Sequence, residues 1–476
     1  MSTLGTVRVR ELVGDVSSER SPAYVSLAGR LRLLVADGRL PVGDRLPAER
    51  ELAAALHLSR ATVAASYRLL RDQGWADARQ GAGTWTTLPA GPARGAWLPE
   101  PPRPGVLDLA HAAPPAPPEV PAAFAAALDD LPRLLPGHGY HPQGLPELRA
   151  RIAQRYADRG LPTTPEHVLV TAGALHGVTV AVEALSRRGG RVLVEHPTYP
   201  NALDAVRVRG RRAVPVAVDA DDPAAAVRDL TRAARATSPA MAYLMPDFQN
   251  PTGLLLDEGH RRRLAVGLEQ AGTVALVDET LVDLGLDADP GPPFAALARP
   301  AAVVTVGSLS KSVWGGLRIG WLRAEPDVVR RLALAAGHSQ LSGPVLEQLA
   351  ACHLLDAETA ILPPRRVALR TARDALVAAL GRALPEWQVH TPAGGLVLWC
   401  RLPGPWSSAL VTAAEPAGLA LAAGPRFGTG HAFEDRLRLP FTQPVPTLEQ
   451  AVALLAAVSA DLPGAPVGVP ARDVVV

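Results

Sequence analysis

Apolar residues recur along this chain with two different rhythms. Tyr24, Leu27, Leu31, Leu34 and Val35 mark one face of a helix within Pro22–Asp37. Gly38, Pro41 and Gly43 then predict a turn and Ala48–Leu56 a second short helix. Ser59, a good N-cap, opens a third helix whose Val63, Tyr67 and Leu70 point inward. Farther along, the pattern becomes short continuous apolar runs: Val168–Thr171, Arg191–Glu195, Ala213–Val218, Ala240–Met245, Val274–Val277 and Val303–Val306. Helical patterns such as His176–Leu185 and Glu258–Gln270 follow several of them. Apolar runs alternating with helices predict a mostly parallel sheet covered on both faces. A helical stretch over Pro326–Leu384, ahead of strand-like Gly395–Arg401, predicts a smaller C-terminal α+β subdomain. No internal repeat interrupts this order.

The two rhythms are separated by a change in composition. Residues 88–105 hold Pro89, Pro92, Pro99, Pro101, Pro102 and Pro104 with Gly91, Gly95 and Gly105. Proline removes backbone donors and fixes φ, so the stretch reads as an extended connector. The organisation that follows is a tail over 1–20 and a mainly helical unit ending in a short hairpin over 21–87. A linker over 88–105, an α/β domain over 106–460 and a Pro/Gly/Val-rich tail over 461–476 complete it. The formal net charge of +2 identifies no partner. Locally, Arg20, Arg30, Arg32, Arg39, Arg45, Arg50, Arg60, Arg68, Arg71 and Arg79 face only Asp37, Asp44, Glu49, Glu51, Asp72 and Asp77, a mild basic excess suited to nucleic acid. Charged residues throughout Met1–Ser21 exclude a signal peptide, and no apolar run approaches the roughly 20 residues that span a bilayer. Cys352 and Cys400 lack metal-ligand spacing, which makes a reducing cytoplasm the expected compartment.

Two short helices separated by His57-Leu58-Ser59 have the layout of a helix-turn-helix, although a generic helical bundle fits the pattern too. The residues add detail. Pro41-Val-Gly-Asp-Arg-Leu-Pro-Ala-Glu-Arg-Glu-Leu-Ala53, Leu58-Ser-Arg-Ala-Thr-Val63, Tyr67, Gly74 and Arg79-Gln-Gly-Ala-Gly-Thr84 resemble, in order, the winged helix-turn-helix of GntR-type regulators. That resemblance implies that Arg50, Ser59, Arg60 and Thr62 meet double-stranded DNA and that the wing tip Gln80-Gly81 enters its minor groove. Ala64-Ala65 departs from the pattern, because relatives often place a basic residue there for phosphate contact.

Lys311 is the only lysine; 48 Lys and Arg in total leave 47 arginines. An arginine serves any surface charge equally well, but it cannot shed its proton and attack a carbonyl carbon, as a lysine amine can. Around Lys311 stand five blocks. Val170-Thr-Ala-Gly173-Ala-Leu-His176 follows a strand and opens a helix, where free backbone N–H groups suit a phosphate. Tyr199 in Glu195-His-Pro-Thr-Tyr199 could stack on a planar ring. Asp247-Phe-Gln-Asn250-Pro-Thr-Gly253 is a turn that aims the Asn250 amide. Asp278 closes an apolar strand with a carboxylate, and Ser308-Leu-Ser310-Lys311 leads to Arg318. Singly, Tyr199 could be core, Asn250 an ordinary turn, Asp278 a helix cap and Arg318 a surface charge. Jointly they fall at strand ends, where open α/β sheets bind ligands.

The set resembles fold-type I pyridoxal-phosphate enzymes of the aminotransferase class over Val106 to Leu455. The resemblance implies an α/β domain in which Lys311 forms the internal aldimine with pyridoxal 5′-phosphate and Asp278 pairs with the ring nitrogen. It further implies that Asn250 bonds the ring hydroxyl, Tyr199 stacks, and Ser308, Ser310, Arg318 and the Gly173–Ala174–Leu175 backbone hold the phosphate. Arg438, in Arg436-Leu-Arg438-Leu-Pro-Phe441, would clamp a substrate or effector carboxylate. Tyr140, in Gly139-Tyr140-His-Pro-Gln-Gly-Leu-Pro-Glu-Leu-Arg149, would reach the neighbouring subunit's phosphate, which implies a homodimer. Ala174 and Leu175 replace polar side chains of the usual phosphate loop, and Thr280-Leu281 stand where a tyrosine often touches the ring hydroxyl. A GntR-like reader joined through a proline-rich linker to such a domain is the arrangement of MocR-type regulators. Two functions follow: a transcription regulator that senses pyridoxal phosphate or an amino compound, and a working aminotransferase using Lys311, Asp278 and Arg438.

Overall fold

A computed structural model gives the fold and describes residues 5–14, 16, 22–36, 40, 44–79, 83–87, 103–299, 302–429 and 432–460. The first unit contains α1 (Thr6–Val13), α2 (Ala23–Ala36), α3 (Glu49–Leu56), α4 (Arg60–Asp72) and an antiparallel hairpin of β1 (Ala76–Arg79) and β2 (Gly83–Thr86). Leu27, Leu31, Leu34 and Val35 of α2 meet Val63, Tyr67 and Leu70 of α4 in one core. Tyr24 does not join them: at the first turn of α2 it is 40 % exposed, at the end of the face where packing stops. The segment expected as a tail over 1–20 holds α1, because Val9, Leu12 and Val13 recur at helical spacing and bury against α2 and α3. Arg30 of α2 donates to the Val13 carbonyl at 2.6 Å and satisfies an end of α1. The wing tip Gln80-Gly81, the connector over 88–102 and the tail over 461–476 lie outside the described residues.

The rest is a two-sheet α/β domain. It opens with β3 (Leu107–Leu109), α5 (Val120–Asp130) and α6 (Pro146–Asp158). Next come β4 (Val168–Thr171), α7 (Ala174–Leu185), β5 (Arg191–His196), α8 (Pro200–Val208), β6 (Arg212–Ala217) and α9 (Pro223–Thr237). The wound unit continues through β7 (Met241–Leu244), α10 (Glu258–Gln270), β8 (Val274–Asp278), β9 (Val303–Ser308) and β10 (Gly320–Arg323). These strands form one sheet in the order β4-β10-β9-β8-β7-β5-β6, parallel from β9 to β6, with β10 antiparallel to both neighbours. Both faces are covered: Val192 and Val194 of β5 enter one core and Leu193 the other. The C-terminal ends of β4, β5, β7, β8 and β9 therefore lie along one edge.

The long helical stretch divides into α11 (Pro326–Gly337), α12 (Val345–Asp356) and α13 (Glu358–Ala383), with Pro344 in extended backbone capping α12. β11 (Gln388–Val389), β12 (Val397–Arg401), α14 (Ser407–Ala414), β13 (Leu419–Ala423), β14 (Arg436–Pro440) and α15 (Val445–Ala460) complete the chain. The second sheet runs β11-β12-β14-β13-β3. It is not purely C-terminal: β3, the first strand after the connector, pairs in parallel with β13. Its hydrogen-bonded partner lies more than three hundred residues away, out of reach of local pattern.

Candidate functional site

Asp278 ends β8 with its carboxylate buried. Tyr243, on neighbouring β7, donates from its hydroxyl at 2.6 Å, and the Thr280 backbone N–H donates at 2.9 Å. Burial raises the Asp278 pKa, while these two donors and the charge of Lys311 oppose the rise. Lys311 follows β9 and is half-buried; its Nζ donates to the Ala112 carbonyl at 2.7 Å. Burial lowers its pKa to about 8; Arg438 pushes the same way, and Asp278 pulls against both. An amine in that range carries a usable lone pair near neutral pH, as a lysine that condenses with an aldehyde requires.

At the same edge, Gly173 adopts φ +82° ahead of α7, and no side chain caps the helix's first N–H groups. A Cβ on Gly173 would stand 2.7 Å from an Arg318 nitrogen, and one on Gly320 would collide with the Gly173–Ala174 backbone. The glycines thus let the Arg318 guanidinium, which donates to the Ala172 carbonyl at 3.0 Å, sit at the helix N-terminus. Ser308 Oγ lies 2.8 Å from Ser310 Oγ and 3.0 Å from the Ile319 carbonyl, so both hydroxyls gather beside that turn.

The Asn250 turn is held by its neighbour. Gln249 donates to the Pro197 carbonyl at 2.7 Å and accepts from the Thr252 backbone N–H at 2.9 Å. Glu195, beneath it, accepts from Met245 N–H and Gln249, and burial pushes its carboxyl up to about 7. The Asn250 side-chain oxygen is buried and has no hydrogen-bond partner. The Tyr199 hydroxyl accepts from Asn201 at 3.0 Å, and its pKa is raised by burial and by Asp278.

Arg438 reaches the site from β14, directly opposite Trp399 of β12. It is buried, donates to the Ala110 carbonyl, and lies 4.9 Å above the Phe427 ring. Its Nε has no partner, and burial together with Arg426 lowers its pKa to about 9. Such a guanidinium gains strongly from an anion.

Lys311, Asp278, Arg438, Tyr199 and Arg318 are thus brought within electrostatic reach of one another, with Asn250, Ser308, Ser310 and the Gly173–Leu175 turn at the same sheet edge. Tyr140 is not among them: it is 57 % exposed and its ring packs on that of His138, centroids 5.4 Å apart. Sequence reasoning missed the part played by Tyr243, whose signal was a lone tyrosine in a fully buried strand beside the Asp278 strand. It also missed Gln249, Glu195 and the Ala110 and Ala112 carbonyls, the last two without any side-chain signature. Cys352 and Cys400 are buried thiols pushed up to about 12, and no cluster of metal-binding side chains occurs among the described residues.

In the first unit, Ser59 Oγ accepts from the Thr62 N–H at 3.0 Å and caps α4. Its oxygen also lies 2.8 Å from the Thr62 hydroxyl. Arg50, Ser59 and Arg60 are exposed, and Arg60 leans on Glu49 at 3.3 Å. The start of α4 therefore offers Arg60 and the Ser59 hydroxyl to solvent, with Arg50 exposed on α3, as a helix-turn-helix does.

Residues 117–455 match the family of aminotransferases of class I and II, and residues 23–85 match the bacterial regulatory proteins of the gntR family. The chain is 30% identical to an uncharacterized HTH-type transcriptional regulator, YdcR of Escherichia coli, covering 86% of this chain and 92% of that one. It is 28% identical to PdxR, an HTH-type pyridoxine biosynthesis transcriptional regulator of Corynebacterium glutamicum, over 87% and 93% of the two chains. Among solved structures, LysN, an α-aminoadipate aminotransferase of Thermus thermophilus complexed with N-(5′-phosphopyridoxyl)-L-leucine, superposes with a TM-score of 0.68. The two share 28% identity over 75% of this chain and 92% of LysN.

Proposed function

Since the chain belongs to the aminotransferase class I and II family and carries a gntR-family module, we propose that it is a transcription regulator that binds pyridoxal 5′-phosphate at Lys311 and senses it or a small amino compound there. The family's cofactor is pyridoxal 5′-phosphate, and the residues present fit it. Lys311 is a half-buried amine with a lowered pKa, Asp278 a buried carboxylate, and the Asn250 oxygen a buried acceptor suited to a ring hydroxyl. Gly173 and Gly320 carry no Cβ, and so let the Arg318 guanidinium close on the uncapped N-terminus of α7, where a phosphate would be held. When bound, the cofactor supplies an electron-withdrawing ring. Asp278, fixed by Tyr243 and Thr280, holds a proton on the ring nitrogen. Arg318, Ser308 and Ser310 fix the phosphate, Tyr199 covers the ring, and Arg438 orients a carboxylate of the sensed compound.

The observation that carries the regulator reading is the pairing, in one chain, of this site with α4, whose capped and exposed N-terminus can enter a major groove. A sensor needs a site that fills and exchanges, not one that turns over. Leu281 turns into the core at the position where a ring-facing tyrosine is common, and Thr280 serves Asp278 through its backbone. A homodimer in the cytoplasm completes the proposal, with the exposed Tyr140 reaching a partner's phosphate; among the described residues no helix is long and apolar enough to cross a membrane. The second reading, an active aminotransferase, rests on the convergence of Lys311, Asp278 and Arg438. One experiment separates them: purified protein with pyridoxal phosphate is assayed for a shift of the DNA flanking its gene and for amino-group transfer to a 2-oxo acid. A DNA shift without steady transfer is expected; steady transfer without a shift overturns the regulator reading.

A further inference from the structure

Two basic groups of the site, Lys311 and Arg438, donate to one short piece of backbone. Lys311 Nζ donates to the Ala112 carbonyl at 2.7 Å, and Arg438 donates to the Ala110 carbonyl. These carbonyls lie two residues apart, on the segment that leads from the connector into the domain. The segment is otherwise well anchored. Leu107 N–H donates to the Gly418 carbonyl at 2.8 Å, and β3 pairs along β13. Asp108 accepts from the Ala110 and His111 N–H groups and lies 2.7 Å from the His111 ring, so residues 108–111 turn as a unit.

The upstream end of the same segment shares an acid with the DNA-reading unit. Glu415, just after α14, pairs with Arg103 at 3.6 Å and with Arg32 of α2 at 3.1 Å. Helix α2 lies on α14, where the open face of Gly29 meets Thr412. It also lies on the recognition helix α4, whose Ser66 hydroxyl donates to the Tyr24 carbonyl at 2.9 Å. A continuous set of contacts therefore runs from the amine and the guanidinium to the helix that enters DNA.

We propose that residues 107–112 are a strap that reports ligation of the site to the DNA-reading unit through Glu415. The proposal rests on the ligand-sensing reading above. Lys311 gives up two N–H bonds when its nitrogen condenses with an aldehyde carbon, the carbonyl oxygen leaving as water, and its hold on Ala112 goes with them. Arg438 turns to a ligand carboxylate, a charge-assisted partner roughly twice as strong as a neutral carbonyl, and leaves Ala110. Each event removes an anchor from the same strap, and the ion pairs of Glu415 carry the change to α2.

The test uses the full-length protein with pyridoxal 5′-phosphate as the probe and three readouts: the visible absorbance of lysine-bound cofactor, tryptic cleavage after Arg94 in the connector, and DNA affinity. In the unaltered protein the cofactor is expected to bring the absorbance. It should also speed cleavage roughly tenfold and change DNA affinity by a comparable factor. Glu415→Ala should gain the same absorbance, be cleaved fast with or without cofactor, and lose the response of DNA affinity. Arg103→Ala, at an exposed position, removes the strap's ion pair with Glu415, leaves the Arg32 pair in place and guards against misfolding of the first variant; it should weaken both responses. A Glu415→Ala protein that keeps the full cofactor response overturns the strap, as does an unaltered protein that gains the absorbance with neither response. If no lysine-dependent absorbance forms at all, the sensing reading itself fails and takes the strap with it.

Discussion

The start of α4 and the lysine pocket both present positive charge to an anion, but in opposite surroundings. Arg60, first in α4, and Arg50 on neighbouring α3 stand in solvent, where salt screens their charge. Lys311 and Arg438 are withdrawn from water and crowd each other, so burial has lowered the proton affinity of both, to about 8 and about 9. In the pocket, burial makes the charge of Lys311 depend on pH and on its neighbours; on the surface the charge is a standing attraction. The first arrangement suits chemistry and sensing, the second suits a polymer of phosphates.

The contrast breaks most completely at Lys311. Lys311→Ala should abolish the visible absorbance of bound cofactor, and Lys311→Arg should abolish it equally, because a guanidinium keeps its proton; DNA binding by α4 should survive in both, measured by gel shift. The next largest effect is on pH. Below its pKa the amine is protonated and cannot attack, so the stopped-flow rate of cofactor capture should rise about tenfold per pH unit up to about 8 and flatten above. Arg438→Ala removes a neighbouring positive charge, makes the ammonium easier to bear, and should move that break to higher pH. Binding through Arg50 and Arg60 should show no such break. Arg60→Ala should weaken DNA binding and reduce the salt slope, d log K/d log[salt], by about 0.9 if it meets one phosphate, read by titration at several salt concentrations. The smallest effect belongs to Ser59→Ala, which removes the cap of α4 and should cost about 1 kcal/mol of stability in denaturant titration.

Much of this was legible in the residue pattern. Helical spacing located α2 and α4, and the apolar runs located β4 to β9 within a residue or two, because buried strands and one-sided helices each leave a periodic imprint. Ser59 was read as a cap and is one. Lys311 and Asp278 stood out by type and position. Tyr24 shows the limit of periodicity: it has the right spacing, but spacing does not reveal where a partner helix stops. α1 was missed because its charged residues suggested a tail, although Val9, Leu12 and Val13 make a short apolar face.

By itself, then, the sequence determined helices α2 and α4, the order of β4 to β9 and the chemical types at their ends, since these follow from local spacing and side-chain chemistry. Only the tertiary structure decided that β3 would cross to the second sheet, that Tyr243 would hold Asp278, and that Ala110 and Ala112 would carry the hydrogen bonds of Arg438 and Lys311. Every residue carries the same backbone carbonyl, so its assignment to a site leaves no mark in the sequence. It is fixed by which distant segment packs alongside, and by the need of each buried donor for an acceptor.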